Sequence, residues 1–142
     1  VTALSDPTVG LVVRAAVVQQ IVRHCQAEVP REACGVLVAQ DGDGLTRWIP
    51  VTNAHPRPEH NYQFAPAEYL AIVQECDDSG ERILAVVHSH PDGPPQPSAQ
   101  DIAYAMHENL HWVIVDLTGY PTMRSFTIRG GQCTPETMLV TL

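Results

Sequence analysis

The sequence predicts an α/β (α+β) domain built on a single mixed β-sheet flanked by helices. Short unbroken apolar runs, Cys34–Ala39 and Ile83–Val87, have the length and β-branched content of buried strands. Between such runs lie stretches whose apolar residues recur at helical spacing, and clusters of Pro, Gly and Asp separate the two kinds. The 142 residues are enough for one core, so residues 9–142 are expected to form a single domain after a loose N-terminal stretch, 1–8.

In chain order, a short strand is expected near Val9–Val13. A helix over Arg14–Glu28 follows, with Val18, Ile21, Val22 and Cys25 on its apolar face, stopping before Pro30. Cys34–Ala39 reads as a central strand, and Asp41-Gly42-Asp43-Gly44 as a hairpin turn into a second strand, Thr46–Thr52. His55–His60 is a proline-containing loop, with a short strand at Tyr62–Phe64. Pro66 suits the first position of a helix carrying Tyr69, Leu70, Ile72, Val73 and Cys76 and ending at Ser79-Gly80. Arg82–His88 is a buried strand. Pro91–Pro97 holds four prolines in seven residues, which excludes helix or strand interior. A helix capped by Ser98 runs to about His107. Trp112–Leu117 and Thr122–Ile128 are strands, and a last one lies near Met138–Thr141. The sequence shows no internal repeat.

Charge narrows the function classes. Sixteen acidic residues against eight basic ones give a formal net charge of −8, which argues against nucleic acid or an anionic membrane as the partner. No apolar run approaches the ~20 residues needed to cross a bilayer. Cys25, Cys34, Cys76 and Cys133 are scattered without a C-x-x-C, so buried reduced thiols in a cytoplasmic protein are expected. All eight basic residues are arginine. Genome base composition explains that, as would avoidance of lysine acceptors beside a lysine-conjugating system.

Chemistry concentrates in His88-Ser89-His90, with Ser98 and Asp101 downstream, a pattern H-x-H-x7-S-x2-D at the end of an apolar strand. Two histidines at i and i+2 on an extended chain share a face and can reach one ion. Asp101, returned by the loop, supplies a third ligand. Two His and one Asp leave a fourth position for water, the composition of a catalytic zinc site. Ser98 and Asp101 also make the S-x-x-D signature of a helix start, but capping leaves the histidine pair unexplained. Amide hydrolysis at such a site needs a carboxylate to move the water's proton and a donor for the oxyanion. Ser98, one turn before Asp101, is placed to be that donor. Asp92 is a conceivable base, although the following Gly93 fits an ordinary turn. Glu32, between a helix end and a strand, reads on position alone as a solvated residue.

Taken with Glu32 in Glu32-Ala33-Cys34-Gly35-Val36-Leu37-Val38, the motif resembles the JAMM (MPN+) family of zinc metalloproteases, E…H-S/T-H-x7-S-x2-D, at every position. The match spans roughly residues 12–128 and looks like the compact prokaryotic branch. The resemblance implies an MPN/JAMM, cytidine-deaminase-like architecture and one Zn2+ held by His88, His90 and Asp101. It also implies Glu32 as general base and then acid, and Ser98 as stabiliser of the tetrahedral intermediate. Ser89 would support the turn, and Cys34 would pack. Family members cleave peptide or isopeptide bonds at the Gly-Gly tail of ubiquitin-like proteins, and compact relatives trim sulfur-carrier proteins. Such a tail would add to a sheet edge near Tyr62–Phe64 or the Pro91–Pro97 loop.

Rival readings are a 2-His-1-carboxylate Fe(II) oxygenase, a TIM-barrel hydrolase, and a JAMM-like module that only binds a ubiquitin-like or phage-tail partner. The first belongs in an all-β barrel and the second needs ~250 residues. The third has no use for Glu32 beside the metal. His24 is expected on a solvated flank, and His55, His60, His107 and His111 have no ligand spacing. Tyr62, Phe64, Tyr69 and Trp112 are expected in packing roles.

Overall fold

The computed structural model describes residues 9–40, 45–103, 105 and 109–142. Its elements are β1 (Val9–Arg14), α1 (Ala15–Glu28), β2 (Cys34–Gln40), β3 (Thr46–Val51), α2 (Pro66–Ser79), β4 (Glu81–His90), α3 (Ala99–Ala103), β5 (His111–Asp116), β6 (Thr122–Arg129) and β7 (Gln132–Thr141). The seven strands form one mixed sheet in the order β1-β7-β6-β5-β4-β2-β3. The pairs β1/β7 and β4/β5 are parallel and the others antiparallel.

Helices cover both faces. On one, Val17, Ile21 and Cys25 of α1 pack with Leu11, Val13, Leu37, Ala85, Val87, Val113 and Val115. On the other, Ile72 and Cys76 of α2 pack on Val36, Val38 and Val51. Next to them Val86, Trp112, Ile114, Phe126 and Ile128 form a third cluster that Ile102 of α3 joins. Burying one such side chain contributes about 1.5–3 kcal/mol. The alternation along β4 decides where the chemistry sits. Ala85 and Val87 point to the α1 face, so Val86, His88 and His90 point to the other.

Capping agrees with the sequence at α2, where Pro66 opens the helix and Gly80, at φ 75°, closes it with its N–H on the Cys76 carbonyl. Several expectations need correction. The buried face of α1 uses Val17 in place of Val22, because the helix begins at Ala15 and its inward stripe runs 17, 21, 25. His24 is half-buried, its ring 5.9 Å from that of Trp48. Tyr62–Phe64 is not a strand: only Phe64 bridges, to Asn53. The Asn53 side chain meets the neighbouring backbone groups instead, donating to the Asn61 carbonyl and accepting from the Gln63 amide. β4 runs on through His90, and β7 is ten residues long. It starts earlier than expected because Gly130 and Gly131, at φ 56° and 76°, make a tight hairpin after β6. Residues 1–8, the 41–44 turn and His107 lie outside the described residues, although β2 and β3 pair antiparallel as that turn requires. No helix among the described residues is long and apolar enough to cross a membrane.

Gly35, facing Pro50 and Val87 across the two ladders, is a point of close approach in the sheet. A Cβ there would stand 2.4 Å from the Trp48 ring and 2.5 Å from the Ile49 carbonyl oxygen. Gly35→Ala is therefore expected to cost about 1–3 kcal/mol through overpacking. Thermal melts check this, and an unchanged midpoint would mean that β3 yields freely.

Candidate metal centre and active site

His88 and His90 stand at the C-terminal end of β4, between Cys34 of β2 and the β5 residues Ile114 and Asp116. Both are buried. The proline-rich segment after His90 turns the chain back so that α3 presents Asp101 to them. Ser98 caps that turn: its Oγ accepts the Asp101 amide at 3.0 Å, and its own amide donates to Asp101 Oδ2 at 2.7 Å. The capping role read from S-x-x-D is therefore present together with the convergence.

Three acceptor atoms meet here. His88 Nε2 is 3.1 Å from His90 Nε2 and 3.1 Å from Asp101 Oδ2, and His90 Nε2 is 3.2 Å from the same oxygen. A carbonyl can only accept, so the 2.8 Å contact of His90 Nδ1 with Pro94 O puts hydrogen on Nδ1 and frees Nε2 as a ligand atom. Lone pairs this close are stable only with positive charge between them, whether protons or a cation. Tetrahedral ligands about 2.0–2.1 Å from a zinc ion lie about 3.3–3.4 Å apart. The observed triangle is within a few tenths of an ångström of that, so this donor set fits the ion.

Titration behaviour matches the crowding. Burial alone would raise the Asp101 carboxyl, but hydrogen bonds with His88 and His90 hold it well below the usual carboxylate range. Burial lowers His88, with Asp101 acting against it. At His90 burial also works downward, and there the hydrogen bonds to Asp101 and the Pro94 carbonyl win, raising it.

Glu32 is buried beside the histidines, held by its backbone. Its amide donates to Pro58 O at 2.7 Å and its carbonyl accepts from Asn53 Nδ2 at 2.8 Å. Next to it the Ala33 amide donates to Ser89 Oγ and the Ser89 amide donates to Ala33 O, joining this segment to β4 between the two histidines. Ser89 therefore braces the Glu32 segment against β4, and not the turn it was expected to support. The ligand atoms of Glu32, His88 and His90 all lie within 4.8 Å of one another. Burial, the largest influence, pushes the Glu32 carboxyl up to about 7, with the His90 charge lowering it and the Asp101 charge raising it further. Two carboxylates therefore compete for the third place beside the histidines. Asp101 is in contact with both ligand nitrogens, whereas Glu32 is tied to them only by the looser limit.

Glu32, His90 and Ser98 share a cleft of about 250 Å³ with Glu59, His60 and the 91–97 loop. Ser98 is exposed, and because its Oγ already accepts the Asp101 amide, its proton is free to point into that cleft. Asp92 also lines the cleft but is exposed, and it has no part in the buried cluster. The four cysteines are free thiols. Cys34 is buried with its Sγ donating to Val51 O, and burial pushes its thiol up to about 12, the state of a packing residue.

A family model described as prokaryotic homologs of the JAB domain matches residues 14–129. The chain belongs to that family. Two curated proteins similar to this JAB domain carry informative names. The CysO-cysteine peptidase of Mycobacterium tuberculosis (strain ATCC 25618 / H37Rv) is 35% identical over 130 residues, 89% of this chain and 88% of that protein. A probable TtuB-protein conjugate cleaving protease of Thermus thermophilus is 34% identical over 119 residues, 84% of this chain and 74% of that one. Among solved structures, a Desulfitobacterium hafniense protein superposes with a TM-score of 0.81 at 27% identity, covering 93% of both chains.

Sequence reasoning missed Asn53, and it expected Tyr62 to pack, as it does, without finding its partner. Asn53 directly follows the second strand, where an Asx side chain often replaces backbone pairing, and that signal was readable. Tyr62, whose ring stacks on His88 at 4.2 Å, gave no such signal.

Proposed function

We propose that this JAB domain is a zinc metallopeptidase that hydrolyses an amide bond at the C-terminal tail of a ubiquitin-like or sulfur-carrier protein. The observation that carries the reading is a buried carboxyl, Glu32, beside two histidines and an aspartate that converge. A module that only binds a tail needs no such group. The names of the CysO and TtuB relatives support the substrate class.

His88, His90 and Asp101 would hold the ion. Bound there, zinc would supply Lewis acidity, polarising a carbonyl and making water acidic enough to attack near pH 7. Glu32 takes the proton from the attacking water and passes it to the departing nitrogen, so that an amine leaves and a carboxylate remains. Ser98 donates its free hydroxyl proton to the oxygen of the attacked carbonyl as charge develops there. Burial of both histidines and Glu32 keeps bulk water from competing for these contacts.

The purified protein is expected to carry about one zinc per chain and to cleave a carrier-protein tail extended beyond Gly-Gly by an amide-linked cysteine or a lysine conjugate. Metal analysis and mass spectrometry of the product check both, and a chelator should abolish the cleavage. Full activity in metal-free protein would end the metallopeptidase reading.

A further inference from the structure

The two histidines of the centre are held in different ways. His90 has the usual arrangement, with the nitrogen away from the cluster donating to a carbonyl. His88 does not. Its Nδ1 is buried and has no hydrogen-bond partner among the described residues. What meets the ring instead is the face of Tyr62, with centroids 4.2 Å apart and planes inclined by 24°. The His90 ring stands edge-on to it, at 4.9 Å and 65°.

Tyr62 is itself fixed in place. The Asn61 carbonyl and the Gln63 amide on either side of it are both bound by the Asn53 side chain. Behind it Phe64 lies 5.8 Å away, and Phe64 stacks on Tyr69 of α2 at 5.3 Å. A row of aromatic rings thus runs from α2 to His88.

We propose that Tyr62 is a positioning residue for the metal, its ring face doing for His88 what a hydrogen-bond acceptor does for His90. The inference rests on the assignment of His88 as a ligand. An imidazole bound to a dication shares its positive charge, and the electron-rich face of a phenol attracts such a ring. Stacking of this kind fixes the plane of the ring and so the direction of Nε2, and it strengthens when the ion arrives. It also leaves Nδ1–H unpolarised, which makes His88 a weaker electron donor than His90 and the ion a stronger Lewis acid.

The test is zinc affinity, measured by competition with a chromophoric chelator on metal-free protein, for wild type, Tyr62→Phe and Tyr62→Met. Phenylalanine keeps the face without the hydroxyl, and methionine keeps bulk without the face. Tyr62→Phe is expected within about threefold of wild type and Tyr62→Met weaker by about 10–100-fold, the range for loss of a ligand's supporting partner. Wild-type affinity in Tyr62→Met would reduce the ring to a space-filler and overturn the proposal. Equal weakening in Tyr62→Phe would shift the role to the hydroxyl and overturn it as well. Melting of the metal-free variants reports whether each is folded. Tyr62→Leu replaces Tyr62→Met if that variant is not, and the Tyr62→Phe arm can overturn the proposal by itself. A wild-type protein with no zinc affinity would be a failure of the site assignment, a different result from any of these.

Discussion

Glu32→Gln is expected to retain zinc at the wild-type level while losing cleavage by about 10²–10⁴-fold, the usual contribution of a positioned acid–base group. That loss corresponds to roughly 3–5.5 kcal/mol of barrier. The substitution keeps the shape of the side chain and leaves the contacts of the Glu32 backbone with Pro58 and Asn53 intact, so the fold should not change. Only the capacity to take and return a proton is removed. In the metal-free site burial sets this carboxyl at about 7, and a dication beside it pulls that value down. The base form is then favoured at neutral pH, and the acid limb of the rate profile is expected at or below about pH 7. Metal content together with single-turnover cleavage checks the prediction. A variant that cuts at the wild-type rate would move the base elsewhere, and one that sheds its metal would make Glu32 a ligand.

Asp101→Asn should give the opposite pattern, losing the metal and with it all cleavage. Its Oδ2 lies 3.1 Å and 3.2 Å from the two histidine nitrogens, so a neutral amide there removes both the charge and the best donor facing them. The drop in zinc affinity should exceed the 10–100-fold that loss of a supporting partner costs. Helix capping by Ser98 should survive, because an asparagine oxygen can still accept the Ser98 amide. Chelator competition reads the affinity. Together the two substitutions decide which carboxylate is ligand and which is base, the one point on which spacing and proximity are ambiguous.

The parts of the fold that were readable in the sequence are those set by local physics. Pro66 and Gly80 marked the ends of α2 because each imposes a backbone angle wherever it stands. The unbroken apolar runs at Cys34–Ala39 and Ile83–Val87 marked strands buried on both faces. The convergence of His88, His90 and Asp101 was legible for the same reason, since alternation and one short loop suffice to bring them together. Glu32 was not legible in that way. Its burial depends on β2 docking on β4 and on Asn53 reaching over from the end of β3, both non-local, and only the family resemblance singled it out. The partner of Tyr62 was hidden in the same way: its packing was expected, but nothing in its immediate surroundings reveals that its ring will lie on His88. Tyr62–Phe64 was misread as a strand because the backbone pairs only around Phe64, through the Ala54 amide to Gln63 O and the Ala65 amide to Thr52 O, while the Asn53 side chain takes the groups beside Tyr62.

His88 and Asp101 are 13 residues apart, whereas the contact that seats the Glu32 segment on β4, Ala33 to Ser89, spans 56. Contacts of short span close early and cheaply, and those of long span come late. On the present assignment, a chain in which β4 and α3 have met can grip its ion before it has any means of cutting. The proton-moving carboxyl needs the more distant docking of β2 on β4 as well, so metal binding and cleavage answer to different parts of the fold.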